Sequence, residues 1–148
     1  MTYTLIIPIY NEERTLLKLL KKLDRLDDKI EIIIIDDGSN DSTIDLLIQI
    51  NQFTIIRNES NIGKGASIRK GVDSASNQNI ILMDGDLEVD IDDIPKLITR
   101  FENKNIDALV GIRWKENSDL NFDINTLGNY FINLLFNLLY NSRLNDVL

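Results

Sequence analysis

Cysteine and histidine are both absent from the 148 residues, and there are only two prolines and one tryptophan. Without cysteine there is no disulfide framework, no thiolate metal site and no thiol nucleophile. Without histidine the commonest general base and the commonest transition-metal ligand are missing. A bound metal must therefore take oxygen ligands, which selects hard cations such as Mg²⁺, Mn²⁺ or Ca²⁺. No apolar run approaches the roughly 20 residues that cross a bilayer. The N-terminus passes straight into a short apolar segment, without the basic region and cleavage site of a signal peptide, so none is expected. Positive charge is scarce as well: 16 basic residues stand against 24 acidic ones, for a formal net charge of −8. That balance argues against a nucleic-acid partner. An anionic ligand would need a local basic spot or a bridging cation.

What is present is an alternation. Residues 3–9, "YTLIIPI", read as a first strand. In 12–26 the leucines Leu16, Leu19, Leu20 and Leu23 recur at helical spacing between lysines and arginines. Residues 30–35, "IEIIII", are almost wholly β-branched, as in a central strand buried on both faces. A helix over 42–51, capped by Asp41 or Ser42, precedes a third strand over 53–57. A glycine-bearing loop, "NIGKG", opens the next helix. Residues 79–84 make a fourth strand, 92–103 a helix, 107–112 a fifth strand and 124–140 a final apolar helix. Such an order predicts an α/β fold: a mostly parallel central sheet with helices on both faces. Ligands in sheets of this kind bind beyond the carboxyl ends of the strands. There the polar clusters fall: Pro8 to Glu12 after the first strand, Asp36-Asp37-Gly38-Ser39 after the second, Asp84-Gly85-Asp86 after the fourth.

Each cluster alone has a plain reading. Asp-Asp-Gly-Ser suits a turn. The glycines around Lys64 suit backbone positions with φ > 0, although a lysine between glycines at a helix start also suits an anion. The stretch "IILMDGDLEVDIDD" (80–93) carries six carboxylates and no basic residue. Asp84 and Asp86, alternating across a glycine at a strand end, can turn two carboxylates toward one ion. Asp90, Asp92 and Asp93 lie just before Pro95, where helix capping and the helix dipole account for acids without any ligand.

Taken together, "IPIYNEE", "IIDDGSNDST", "NIGKGASIRKGV" and "ILMDGDLE" resemble, in order and spacing, the nucleotide-sugar-binding half of family 2 glycosyltransferases. Within that family the chain looks like dolichol-phosphate mannose synthase and related polyprenyl-phosphate glycosyltransferases; "GIRW" and "SRLNDVL" continue the pattern. The resemblance implies a GT-A fold, a Rossmann-like α/β/α sandwich, and an inverting transferase. Its donor would be a nucleoside diphosphate sugar: GDP-mannose, UDP-glucose or UDP-N-acetylglucosamine. Its acceptor would be a polyprenyl phosphate or a glycan. Pro8, Tyr10, Asn11 and Glu12 would line the nucleoside pocket, with Tyr10 near the base. Asp37 would accept a hydrogen bond from the base, and Asp36 would support it or the ribose. Lys64 would lie near the base or phosphates, and Gly63 and Gly65 would allow close backbone approach. Asp84 and Asp86 would be the catalytic aspartate-x-aspartate pair. Asp86 would bind a divalent metal, Mg²⁺ or Mn²⁺, directly, with Asp84 near the ribose or a metal-bound water and Glu88 completing the metal shell. Arg113 would reach a phosphate.

Residues 1–148 are expected to form one such domain, cut off before the acceptor-site and membrane segments of relatives, and so to bind donor without necessarily turning it over. A place at the cytoplasmic face of the membrane follows from the resemblance, with the 124–140 helix offering a membrane-contact or self-association surface. Two unlike functions compete: a haloacid-dehalogenase-like phosphatase, which places its aspartates on the first strand, and a receiver-like binding domain, which needs an aspartate after its third. A nucleotidyltransferase is a nearer rival, but its glycine-rich first loop is replaced here by "PIYNEE".

Overall fold

The computed structural model describes residues 1–104 and 106–111. Arg113 and the predicted helix over 124–140 lie outside the described residues. The chain divides into two compact units, 1–104 and 105–148. In the second, residues 106–111 carry no helix or strand, so the described part of the expected fifth strand is not one. Only three apolar residues, Ala108 to Val110, stand there between Asp107 and Gly111. Val110 is 71% exposed, and no neighbouring strand pairs with the segment among the described residues.

The first unit is a four-stranded, all-parallel sheet in the order β3-β2-β1-β4. The strands are β1 (Tyr3–Ile9), β2 (Ile30–Asp36), β3 (Thr54–Arg57) and β4 (Asn79–Leu82), and the helices are α1 (Leu16–Leu23), α2 (Thr43–Leu47), α3 (Lys64–Ser74) and α4 (Ile94–Glu102). Both faces of β1 and β2 are covered, which explains why their residues are apolar without alternation. Leu5, Ile7, Ile9, Ile32 and Ile34 point to one face and join the buried stripe of α1, Leu16, Leu19, Leu20 and Leu23, together with Leu47 and Ile94. Ile6, Ile33 and Ile35 point to the other face, where α3 packs. Gly71 makes that approach possible, since a Cβ on it would meet Ile6 Cγ2 at 2.6 Å and Ile35 Cδ1 at 2.9 Å. Each fully buried leucine or isoleucine contributes about 1.5–3 kcal/mol.

Helices are shorter than the apolar pattern suggests. α2 spans five residues where ten are expected, because Gln49 and Asn51 follow and the segment buries only Thr43 and Leu47. A 3₁₀ turn, Ile91–Asp93, leads into α4. Here the later acids serve structure. The Asp90 side chain accepts from the Asp92 N–H and pairs with Lys22 at 2.8 Å, and Asp93 pairs with Lys96 at 2.5 Å.

Candidate active site

In this order the chain leaves β1 toward β2 on one side, while β4 lies on the other. The carboxyl ends of β1 and β4 therefore flank the topological switch point, where a crevice opens. A cleft of about 370 Å³ lies there, a size that suits a small-molecule ligand. The end of β1 supplies Pro8, Ile9 and Tyr10, with Glu12 beyond. The end of β4 supplies Asp84, Gly85 and Asp86. Asp37 after β2, and Asn61, Gly63 and Lys64 ahead of α3, complete the lining. A Cβ on Gly85 would fall 2.4 Å from Ile9 Cγ2, so the glycine lets the β4 turn sit tight against β1.

One of the acids at the end of β4 already meets a cation. Lys64 Nζ lies 2.6 Å from Asp84 Oδ1, across the cleft, with both side chains partly exposed. Asp86 folds back on its own turn, where its Oδ1 accepts from the Glu88 N–H at 3.0 Å. Leu87 between them has φ +66°, a left-handed conformation costing an ordinary residue about 1–2 kcal/mol. Among the described residues no three carboxylates form a metal cage, and Glu88 does not line the cleft. The donor set nevertheless fits a hard divalent cation in part: two carboxylates separated by one residue, one of which already holds an ammonium group. A diphosphate and water would have to provide the remaining ligands.

Opposite stands a buried polar network. Asp37 is 4% exposed. Its Oδ1 accepts from Asn58 Nδ2 at 2.8 Å and the Ile62 N–H at 3.0 Å, and its Oδ2 from the Gly63 N–H at 2.9 Å. Burial by itself would raise the pKa of this carboxyl, but the hydrogen bonds from Ile62, Asn58, Ser67 and Gly63 outweigh it and hold the group below its ordinary value. Asn58, 1% exposed, also donates to Ser67 Oγ and accepts from Lys70 Nζ at 2.6 Å. Gly38 makes the crossing possible. Its φ is +72°, and a Cβ there would lie 2.4 Å from the Ser60 carbonyl carbon.

Besides Glu88, three expected residues stand outside the cleft lining. Asn11, at φ +56°, stitches loops: its N–H donates to Ser39 Oγ and its Oδ1 accepts from the Asn40 N–H, both at 2.9 Å. Asp36 is fully buried beneath; its Oδ1 accepts from the Ser39 N–H, and its Oδ2 lies 3.5 Å from Arg57 Nε without a hydrogen bond. Gly65 is the second residue of α3, where a Cβ would meet nothing within 4 Å. The sequence reading missed Asn58, Asn61 and Ser67. Asn58 does sit where a site residue should, directly after the third strand, but a lone asparagine there carries no motif.

A parallel sheet with polar side chains gathered beyond the carboxyl ends of its strands, at the switch point, defines an α/β domain of the ligand-binding type. The family model of glycosyl transferase family 2 matches residues 4–147, and the chain belongs to that family. It is 42% identical over 118 residues to an uncharacterized protein of Methanocaldococcus jannaschii, covering 73% of this chain and 50% of that one. It is 32% identical over 126 residues to the dodecaprenyl-phosphate galacturonate synthase of Rhizobium johnstonii, covering 77% of this chain and 36% of the relative. The undecaprenyl-phosphate 4-deoxy-4-formamido-L-arabinose transferase of Proteus mirabilis is 32% identical over 125 residues, 78% of this chain and 38% of the relative. The chain thus spans half or less of the length of these relatives. Among solved structures, the mannosyltransferase PcManGT of Pyrobaculum calidifontis in complex with GDP-Man and Mn²⁺ superposes with a TM-score of 0.53 at 22% identity, over 57% of this chain and 27% of that one. S. aureus TarS in complex with UDP-GlcNAc gives 0.52 at 25% identity, over 58% and 27%. The sheet and its flanking helices have the GT-A fold of these glycosyltransferases.

Proposed function

We propose that this chain is the donor-binding part of an inverting glycosyltransferase that moves a sugar from a nucleoside diphosphate sugar to a polyprenyl phosphate, at the cytoplasmic face of a membrane. The observation that carries this is the cleft at the β1/β4 switch point, with Asp84 and Asp86 on one wall and Lys64 and the start of α3 on the other. The names of the relatives favour a polyprenyl-phosphate acceptor over a glycan. In this reading residues 1–148 form the donor domain, and Arg113 reaches a phosphate.

Tyr10 and Pro8 give the nucleoside an apolar, aromatic wall. Lys64 and the free N–H groups at the start of α3 face the diphosphate, where the helix dipole favours negative charge. Asp84 and Asp86 would hold a divalent cation, Mg²⁺ or Mn²⁺. When bound, that cation neutralises charge developing on the leaving diphosphate. The acceptor phosphate oxygen attacks the anomeric carbon as the bond to the β-phosphate oxygen breaks, with inversion. A phosphate nucleophile is already anionic, so no general base is needed, consistent with a chain that lacks histidine.

The test is a donor screen with Mn²⁺ and polyprenyl phosphate, using UDP-glucose, UDP-N-acetylglucosamine and GDP-mannose. Binding of one donor is expected from the donor-binding part alone, and a glycolipid product from that donor when the acceptor-binding part is present. Release of free nucleotide without a lipid product would leave the donor site standing and refute the acceptor, and no binding of any donor would refute the reading altogether.

A further inference from the structure

The backbone between β1 and α1 has its N–H groups already taken. Three consecutive ones, of Asn11, Glu12 and Glu13, donate to side chains of the segment after β2: to Ser39 Oγ at 2.9 Å, to Thr43 Oγ1 at 2.8 Å and to Asp41 Oδ2 at 3.2 Å. Two bonds return the other way, from the Asn40 N–H to Asn11 Oδ1 and from the Ser42 N–H to Glu13 Oε2. A run of open N–H groups ahead of a helix is where an anion binds. Here the run is satisfied within the protein, so this loop offers a ligand its side chains and its shape. Tyr10 is 42% exposed, so packing does little to hold its ring, and the backbone that follows it must do so. Thr43 stands at the centre of the stitch. It is fully buried, and its hydroxyl accepts from the Glu12 N–H and donates to the Asp41 carboxylate. Asp41 Oδ1 in turn accepts from the Thr43 N–H at 2.9 Å. Beyond the stitch the Glu12 carbonyl accepts from the Thr15 and Leu16 N–H groups at the start of α1, whose leucines are locked in the core.

We propose that Thr43, with Ser39 and Asp41, is a positioning residue for the nucleoside side of the cleft: it holds the 10–13 backbone so that Tyr10 and Glu12 meet the ligand in one arrangement. None of the three lines the cleft, so they act through the loop and not by touching the ligand. This rests on the glycosyltransferase reading above, in which the diphosphate falls to Lys64, the start of α3 and the acids after β4. The stitch therefore bears on the nucleoside half of the donor and not on its diphosphate half.

The experiment compares the whole chain with Thr43→Val, which keeps the shape and removes the hydroxyl, and with Thr43→Ser, which keeps the hydroxyl. Calorimetry measures UDP, GDP and inorganic pyrophosphate, each with Mn²⁺, and amide exchange follows Glu12. A buried donor left without its acceptor lowers the fraction of the loop in its competent arrangement. Thr43→Val should therefore weaken the nucleotide that the parent binds by about ten-fold, leave pyrophosphate unchanged and speed exchange of the Glu12 amide. Thr43→Ser should match the parent in all three respects. Should Thr43→Val fail to fold, Ser39→Ala removes the acceptor of the Asn11 N–H and is expected to show the same split between nucleotide and pyrophosphate. An equal loss of nucleotide and pyrophosphate would show a general structural role and overturn the proposal. So would unchanged nucleotide affinity in Thr43→Val, or a Thr43→Ser protein as weak as the valine variant. A parent protein that binds neither nucleotide would instead refute the glycosyltransferase reading.

Discussion

Three glycines in and around the loop ahead of α3 make different demands, and alanine at each gives a graded prediction. Gly38 has φ +72°, and a Cβ there would lie 2.4 Å from the Ser60 carbonyl carbon and 2.7 Å from the Asn61 nitrogen. Those are backbone atoms, so no rotamer change relieves the clash. The left-handed conformation costs about 1–2 kcal/mol and the overpacking about 1–3 kcal/mol more, so Gly38→Ala should lose about 2–5 kcal/mol. For a chain of this size that lowers Tm by on the order of 5–15 °C. Gly63 has φ +90° and ψ 149°, a region reserved for glycine, but its Cβ would meet no atom within 4 Å. Gly63→Ala should therefore cost only the strain, about 1–3 kcal/mol. Gly65 is helical with open space around it, so Gly65→Ala should be neutral or stabilise by up to about 1 kcal/mol. Thermal and urea unfolding of the three variants measure the order. A Gly38→Ala protein as stable as its parent, or less damaged than Gly65→Ala, would refute the close backbone crossing of Gly38 with Ser60 and Asn61.

Two further perturbations follow. Lys64 competes for Asp84 at 2.6 Å, and an exposed pair is worth up to about 1 kcal/mol. Lys64→Gln should tighten Mn²⁺ binding to the nucleotide-free protein by up to roughly five-fold while weakening binding of the metal–nucleotide pair; equal Mn²⁺ affinity with and without the lysine would contradict that competition. Stability should also fall in acid. Burial tends to raise the pKa of Asp37 and of Glu31, but hydrogen bonds outweigh it and hold both below their ordinary values, in Glu31 from Thr4 and Ser76. The unfolded chain then binds more protons than the folded one at low pH, so stability rises with pH. The contribution is complete above the ordinary carboxyl values near pH 4 and disappears as pH falls through the folded ones. Unfolding curves of Glu31→Gln should show a flatter acid limb than the parent, and an unchanged slope would remove Glu31 from the account.

The sheet was the most legible part of this chain. β1 and β2 are bounded by polar clusters and filled with isoleucine, so their limits and double burial follow from composition alone. So does the gathering of polar clusters at their carboxyl ends, where parallel sheets with helical crossovers bind their ligands. The later acids, Asp90 and Asp93, could be assigned to a helix start because Pro95 marks its first turn. Less legible was what each site residue touches. Asp36 and Asp37 are adjacent and chemically identical, yet one is fully buried beneath the site and the other braces a loop. That division depends on where Asn58 and the Ile62 and Gly63 amides come to rest, which no local spacing records. Asn11 and Gly65 look like pocket residues in a motif, but a left-handed φ diverts the asparagine to a loop stitch and helical register places the glycine in open space.

The central claim is that the acids at the end of β4 bind a nucleoside diphosphate through a divalent cation. Calorimetry of UDP and GDP with and without Mn²⁺, on the parent and on Asp86→Ala, tests it most directly. The account predicts binding of one nucleotide that requires Mn²⁺ in the parent, and loss of that dependence in Asp86→Ala with the thermal unfolding profile unchanged. Equal metal-dependent affinity in the two proteins would contradict it.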